Sequence, residues 1–330
     1  MISYWEKEFY QFDFAIIGGG LTGLNLSISL KEKNPGLKII VLDKDLFPSA
    51  ASTRNAGFAC FGSPSELISD HKTMGLENML NLVERRFKGL ELMKSRVNPD
   101  AINYENKGGY EILDESREYL IDELQKINSE LIGLFKKDVF TKKNDLISDF
   151  GFDKNWCRQL VFNPLEGQLH PGKLLMELEK RAVALGVNVK RGFEVQDFQE
   201  VNGQVAIIGE GLKINASKMA ICNNAWAGKF VESEDVKPGR GMVLMTDKID
   251  VKFNGAFHAE EGFFYFRDLE GRLLIGGGRN YDKDNEESFD TVLNPKIEKA
   301  IIEKCHLILG TQKFNIEYSW AGIMGFGQDK

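Results

Sequence analysis

Nowhere along the chain do some 18 apolar residues follow one another, the length a membrane-spanning helix requires, so no transmembrane span is expected. Cysteine is sparse. Cys60, Cys157, Cys222 and Cys305 lie far apart and never form C-x-x-C, which excludes a zinc ribbon or a dithiol redox motif and leaves buried free thiols. The four histidines, His71, His170, His258 and His306, share no metal-ligand spacing, and no metal is expected. Positive charge is in deficit: 42 Lys+Arg stand against 49 Asp+Glu, a net charge of −7. That balance gives no electrostatic footprint for a nucleic-acid backbone or an anionic lipid surface. The opening residues MISYWEKEFYQFDF carry acidic groups and no apolar stretch of signal-peptide length, so nothing directs export and a reducing cytoplasm is the expected location.

What is present describes a packed globular chain. Apolar residues make up 42% and charged residues 28%, which rules out collagen-like, disordered and coiled-coil readings. At roughly 150 residues per domain, 330 residues suggest two domains or one large α/β unit with an insert. From Phe12 to Leu42 an apolar run, FAIIGGG, is followed by a helix-like stretch, Pro35-Gly36 and a second apolar run, KIIVLD; this is a β-α-β unit. Leucines and isoleucines at three- and four-residue spacing predict amphipathic helices over 76–98 and 115–137, with KGGYEIL as a strand between them. Residues 172–185 are helical by the same test, with Gly186 as a stop, and three short strands follow, punctuated by Asn202-Gly203. Strand-like pieces recur from 240 to 278, and helical periodicity returns from Lys296 to Leu309.

Gly18-Gly19-Gly20-Leu21-Thr22-Gly23 fits G-x-G-x-x-G, directly after a predicted strand and opening a predicted helix. Gly18 permits the tight turn, Gly20 lets a pyrophosphate approach the backbone, and Gly23 lets the helix pack against the strand. The helix N-terminus then faces the phosphates with its N–H groups and the positive end of its dipole. Asp43 lies 20 residues beyond Gly23, at the end of the second strand, where a carboxylate accepts from both ribose hydroxyls and repels a 2′-phosphate. Leu21, Thr22 and Lys44 complete this set of cofactor-binding candidates, and NAD and FAD both satisfy it. A second cluster, Gly276-Gly277-Gly278, has Tyr281 where the last glycine belongs and the polar DKDNEES where a helix should start. It is rejected as a nucleotide loop, so one dinucleotide is expected, and a flavoenzyme would pass electrons to oxygen or a quinone rather than to bound NAD.

After the β-α-β unit come Ala51-Ser52-Thr53-Arg54-Asn55-Ala56-Gly57-Phe58, small and polar residues suited to a loop crossing a flavin pyrophosphate. This segment resembles the one that follows the second strand in the FAD-dependent D-amino-acid oxidase, glycine oxidase and sarcosine oxidase family. Later pieces resemble that family in the same order: Glu166-Gly167-Gln168-Leu169-His170-Pro171, Phe193-Glu194-Val195, Ile221-Cys222-Asn223-Asn224-Ala225-Trp226-Ala227, Arg240-Gly241-Met242, Gly271-Arg272-Leu273-Leu274-Ile275-Gly276-Gly277, and Trp320-Ala321-Gly322-Ile323-Met324-Gly325. His170 replaces the usual acid and Asn224 a glycine, while Met324 stands where several amino-acid oxidases have the arginine that clamps the substrate carboxylate.

The resemblance implies an α/β fold: a Rossmann-like FAD-binding domain with an α+β substrate layer, a discontinuous and mainly antiparallel substrate domain. The expected ranges are 1–80, 150–230 and 305–330 for the first and 81–149 and 231–304 for the second. The family's final glycine-rich turn and helix are expected to be absent after Lys330. It further implies FAD contacts from Ser52, Thr53, Arg54, Asn55, Ala56, Gly57, Val195, Asn223, Asn224, Trp226, Gly322 and Ile323. The loop at 51–58 has neither His nor Cys for covalent attachment, so the FAD is expected to be non-covalent. Substrate-pocket candidates are Tyr265, which alternates with Phe264 and Phe266 and so faces away from them, Arg279 after the glycine triplet, and Met324, with Arg54 a further possible anchor.

The expected activity is oxidation of a small amine or amino acid by hydride transfer to flavin N5, giving an imine that hydrolyses. A flavin-dependent 2-hydroxy-acid oxidase or dehydrogenase and a non-catalytic flavin-binding module are the alternatives.

Overall fold

The computed structural model describes residues 3–231 and 236–327. The chain divides into two compact units, Met1–Arg54 with Pro171–Gly239 and Ile323–Lys330, and Asn55–His170 with Arg240–Gly322. Both are discontinuous, but their boundaries differ from the expected ones. Residues 55–80, 150–170 and 305–322, expected with the nucleotide-binding domain, belong to the second unit, and 231–239 to the first. The reason is packing. Strand Phe58–Ala59 pairs with Gly167–Gln168, and helix Pro64–Met74 buries Leu67 and Ile68 in one cluster with Met79, Val83, Ile127 and Leu131 of helices Leu76–Arg96 and Leu120–Phe135. Helix Pro295–Leu309 enters the second unit's core as a whole, through Ile297, Ile301, Cys305 and Ile308.

In the first unit, strand Gln11–Ile17 lies between Ile39–Asp43 and Leu212–Ile221, parallel to both. Ile16 stands opposite Val41 on one side and Ala220 on the other, so the β-α-β unit and the strand KMAI share one sheet. Asn188–Arg191 extends it beyond Ile39–Asp43 in parallel, and two hairpins add Gln204–Gly209 and Val195–Val201 antiparallel on the far side. Both hairpin turns have two consecutive residues at positive φ, Asn202 (+51°) with Gly203 (+73°) and Glu210 (+48°) with Gly211 (+70°). That is the twist-matching turn Asn-Gly favours. Ala15, Ile17, Ile40, Leu42, Ile207 and Ile214 form the core on one face.

An eight-stranded sheet, in the second unit except for residues 237–239 and 323–326, runs Ile316–Phe326, Lys237–Thr246, Leu273–Gly277, Phe264–Asp268, Ala256–Ala259, Gly109–Leu113, Gln159–Asn163, Thr141–Lys142. Gly109–Leu113 is parallel to Ala256–Ala259, and the other described pairings are antiparallel. One face is aromatic. The Phe257 ring is stacked between Tyr110 and Phe266 with centroids 4.8 Å away on each side, and Phe150, Phe152 and Phe253 meet it edge-on. Alternation along each strand sends the next residues to the opposite face, where the polar groups gather.

Candidate functional site

The loop after strand Gln11–Ile17 is shaped by what its glycines exclude. A Cβ on Gly23 would lie 1.9 Å from the Gly18 carbonyl oxygen, and one on Gly18, itself at φ +108°, would lie 2.5 Å from the Cys222 carbonyl oxygen. The helix that starts at Leu21 can therefore lie directly against the strand it follows. Gly20 at its N-cap has no side chain to cap with, and no acidic residue occupies its first turn. Ser52 reaches over from the helical turn Ala51–Arg54, and its Oγ accepts from Leu21 N at 3.0 Å. Asp43 accepts from Gly19 N (2.7 Å) and Asp45 N (3.1 Å), which fixes its carboxylate beside the loop at the end of its strand. Beside Gly18, the buried Asn223 Oδ1 has no hydrogen-bond partner among the described residues. A glycine cradle, an acid-free helix N-terminus, a fixed carboxylate and an unpaired buried amide oxygen together fit an adenine dinucleotide diphosphate.

The first unit therefore brings together Gly18, Gly20, Leu21, Thr22, Gly23, Asp43, Lys44, Ser52 and Asn223. Lys44 Nζ lies 5.2 Å from the centre of the Trp226 ring, so two of the expected contacts meet as a cation–π pair. Thr53 Oγ1 donates to backbone carbonyls of its own turn (Pro48 and Ala50), and Val195 opens a hairpin strand just after Phe193, whose N–H donates to Asp43 O. Asn224 is at φ +58°, a conformation open to glycine and asparagine, which explains the exchange at this position. Its amide is engaged twice by the strand Ile316–Phe326, donating to Ile323 O and accepting from Gly325 N, both at 2.7 Å. Arg54 ends the helical turn, and Met324 is exposed on the same strand as Ile323. Arg191 was not anticipated. It lies opposite Asp43 on the neighbouring strand, 3.7 Å from its carboxylate, and pairs with Glu179.

Asn55, Ala56, Gly57, Gly322, Tyr265 and Arg279 fall in the second unit. Asn55 Oδ1 accepts from Gly57 N in a tight turn, and Ala56 is buried with Phe58, Tyr265 and Trp320. Arg279 opens a short 3-10 turn at the end of strand Leu273–Gly277. The glycine triplet there serves packing: a Cβ on Gly276 would lie 2.6 Å from the Tyr265 ring, and one on Gly277 would lie 1.9 Å from Phe263 O.

Cross-strand register assembles the polar face. Glu111, His258, Tyr265, Gly276 and Val243 stand opposite one another in a row across five strands, and Asn163, Gly109, Ala256, Arg267 and Leu274 form the next row on the same face. Phe58 packs edge-on against both His258 and Tyr265. Glu111, 1% exposed, accepts from Ser65 N and from the Ser63 and Ser65 hydroxyls at the start of helix Pro64–Met74, yet burial pushes its carboxyl up to about 7. Glu166, 2% exposed, lies over Gly109 and accepts from Phe61 N; burial, reinforced by the nearby Glu66 and Glu111, pushes it up to about 8. These carboxyls, Asn163 and His258 line a cavity of about 10 Å³, where Asn163 Nδ2 and His258 Nε2 have no partner among the described residues. Burial lowers the His258 pKa, so its imidazole is neutral, and raises the Tyr265 phenol to about 12. Among the described residues no group of His, Cys, Asp and Glu could hold a metal. Sequence reasoning passed over His258 and Arg267, although alternation in FYFRD puts Arg267 on the face of Tyr265.

A family model described as FAD dependent oxidoreductase (DAO) matches residues 13–330. Gamma-glutamylputrescine oxidoreductase of Escherichia coli (strain K12) is 23% identical over 326 residues, covering 94% of this chain and 73% of that protein. The mitochondrial L-2-hydroxyglutarate dehydrogenase of Dictyostelium discoideum is 31% identical over 120 residues, 35% of this chain and 23% of that protein. Among solved structures, glycine oxidase from Geobacillus kaustophilus shares the fold with a TM-score of 0.73 at 19% identity, covering 97% of this chain and 84% of that one.

Two measurements check the site. Asp43→Ala removes a charged acceptor and is expected to weaken FAD binding by about 1.5–3 kcal/mol, roughly ten- to a hundredfold, while Gly23→Val abolishes binding. Titration followed by quenching of flavin fluorescence reads both, and unchanged affinity in Asp43→Ala would remove that residue from the site. Glu111 and Glu166 hold their protons to higher pH folded than unfolded, where 4.5 is the ordinary value, so their contribution to stability is complete below about 4.5 and is lost as pH rises through about 7 and 8. Thermal midpoints are expected to fall between pH 5 and 8.5 and to fall less steeply in Glu166→Gln; an unaltered slope would show that this carboxyl titrates normally.

Proposed function

The chain belongs to the DAO family of FAD-dependent oxidoreductases, and from that premise we propose that it oxidises the C–N bond of a small amine or amino acid. The reading is carried by breadth of likeness: the match to a gamma-glutamylputrescine oxidoreductase runs over 94% of the chain, whereas the match to a hydroxy-acid dehydrogenase covers 35%. FAD, when bound, supplies the electron acceptor, and the first unit's glycine loop, Ser52 and Asp43 are the groups that hold its adenosine diphosphate half. No histidine or cysteine lies in the 51–58 segment, and burial with the neighbouring Glu166 and Glu66 carboxyls pushes the Cys60 thiol up, away from a nucleophilic thiolate. Both facts favour non-covalent attachment. The oxidant that takes the electrons onward is oxygen or a quinone in this reading, and the cytoplasm is its place, supported by four unpaired cysteines.

The second unit's polar face suits an amine substrate because, Arg267 apart, the titratable groups named on it favour their uncharged forms. The substrate loses two electrons and two protons in becoming an imine, which water hydrolyses to a carbonyl compound and the free amine or ammonia. Only the unprotonated amine has a lone pair to drive this, and a face carrying a neutral imidazole, a phenol held protonated and carboxyls with raised pKa does not stabilise an ammonium by ion pairing. Tyr265 donates a hydrogen bond and does not act as a base near neutral pH. Sheet packing against Phe58 and Gly276 fixes its ring.

One observation favours oxidation of a 2-hydroxy acid instead. A hydroxyl must lose its proton as its carbon is oxidised, and His258 Nε2 is a buried, neutral imidazole atom without a hydrogen-bond partner among the described residues. Anaerobic titration of the FAD-loaded protein with amines, amino acids and 2-hydroxy acids separates the two. An amine or amino acid is expected to bleach the flavin absorbance, with one ammonia or amine released per carbonyl formed. Bleaching by hydroxy acids alone, with no nitrogen released, would transfer the assignment to the second reading.

A further inference from the structure

Two buried side-chain nitrogens of the second unit meet at one small space and bond to nothing. The space is the cavity of about 10 Å³ beside the start of helix Pro64–Met74, and every residue lining it lies in the second unit. Asn163, 3% exposed, and His258, 8% exposed, leave Nδ2 and Nε2 there without a hydrogen-bond partner among the described residues. Asn163 Oδ1 accepts from Leu165 N at 3.0 Å, which fixes the amide with its N–H groups on the other side.

The remaining polar walls are two carboxyls. His258 stands directly opposite Glu111 across a parallel strand pair, and Asn163 stands opposite Gly109. Glu166 takes the room that Gly109 leaves: a Cβ at 109 would lie 2.0 Å from its Oε2, while its Oε1 accepts from Phe61 N at 3.1 Å. Other titratable groups surround this cluster. Glu66 accepts from Ser63 N at the helix start, Cys60 precedes that helix, and Arg86 reaches Phe61 O from helix Leu76–Arg96. Tyr265 and Arg267 follow His258 on the next strand, and Tyr110 turns its ring to the aromatic face.

A space of this size admits one water. The chemistry of its walls leaves little else. A cation cannot accept from the Asn163 amide, an anion would lie between two glutamates, and an apolar group would leave both nitrogens unpaired. Water donates and accepts at once, and several polar partners are what a buried water requires.

We propose that the cavity is a site for one water, held by Asn163 and Glu166 and bonded to His258 Nε2, and that through it His258, Glu111 and Glu166 exchange protons as a single unit. A proton taken up at His258 leaves for the water while the water passes one of its own to a glutamate carboxylate. One proton has moved, the water is unchanged, and no oxidant or reductant takes part. Burial favours this direction: the carboxyls keep a proton up to about pH 7 and 8, whereas the imidazole releases it below its ordinary range. The proposal goes beyond the amine reading and stands without it.

Nitrogen NMR of the full chain labelled in histidine reads the imidazole directly, with His258→Asn assigning its signals. In the native chain the His258 Nε2 resonance is expected to shift in two steps, near pH 7 and pH 8, as the carboxyls ionise. Glu166→Gln should remove the upper step. Asn163→Leu keeps the shape without the donor, so both steps should fall to roughly half or less while infrared carbonyl bands show the carboxyls still titrating. A role limited to packing would move the thermal midpoint and leave the steps at full size, which overturns the proposal. A crystal structure of the native chain should show a water within hydrogen-bond reach of Asn163 Nδ2 and His258 Nε2; an empty cavity also overturns it. If Asn163→Leu does not fold, that water together with loss of the upper step in Glu166→Gln carries the conclusion, and a retained upper step refutes it.

Discussion

Everything in the first unit follows from the approach of one helix to one strand. The helix beginning at Leu21 lies against the Gly18 carbonyl only because position 23 is glycine: a single added carbon there would be 1.9 Å away. Close approach aligns the unmatched N–H groups of the first turn with the end of the sheet. It also brings Gly19 N onto Asp43, so the carboxylate that would take the ribose hydroxyls is held by the same loop that would take the phosphates. Geometry at one pair of glycines thus sets the spacing between the helix N-terminus and the Asp43 carboxylate.

The second unit resolves a different conflict, between a sheet that must be buried and a face that carries titratable groups. Its aromatic side is closed by stacked rings, Tyr110, Phe257 and Phe266, which supply the apolar burial that keeps the strands together. The opposite side buries apolar residues too, Leu113 and Val161 in the cluster with the helices and Val243 and Leu274 in another. It carries glutamates with protons retained, a neutral imidazole and a lone guanidinium, groups that would destabilise a unit relying on them for its core. Hydrogen bonds from the start of helix Pro64–Met74 to Glu111 show how such groups are accommodated: by backbone and hydroxyl donors rather than by opposite charges.

The glycine turn between strand and helix was legible in the sequence because its requirements are local: three glycines at fixed offsets, with an acid at the next strand end. Helices and hairpins were legible for the same reason, through apolar spacing and Asn202-Gly203. The domain boundaries were not. An apolar stripe over 295–309 says that a helix covers something, but not which sheet, and the chain returns to the second unit there. Arg267 shows the limit most clearly. Alternation puts it on the face of Tyr265, but its lack of a partner depends on Ala256 and Leu274 standing opposite, a register set by residues far away in sequence. Asn224 was read as a departure from the family pattern at a cofactor contact, whereas its backbone angle and its bonds to Ile323 and Gly325 make it a tie between two segments of the first unit.

Gly276 gives the second unit a further property. The Tyr265 ring rests over it, so the direction of the phenol is governed by an absence of side-chain volume one strand away. A methyl group at 276 would lie 2.6 Å from the ring and 2.7 Å from its hydroxyl oxygen, so the ring would have to move. A substitution at 276 would thus redirect the phenol while Tyr265 itself keeps its identity.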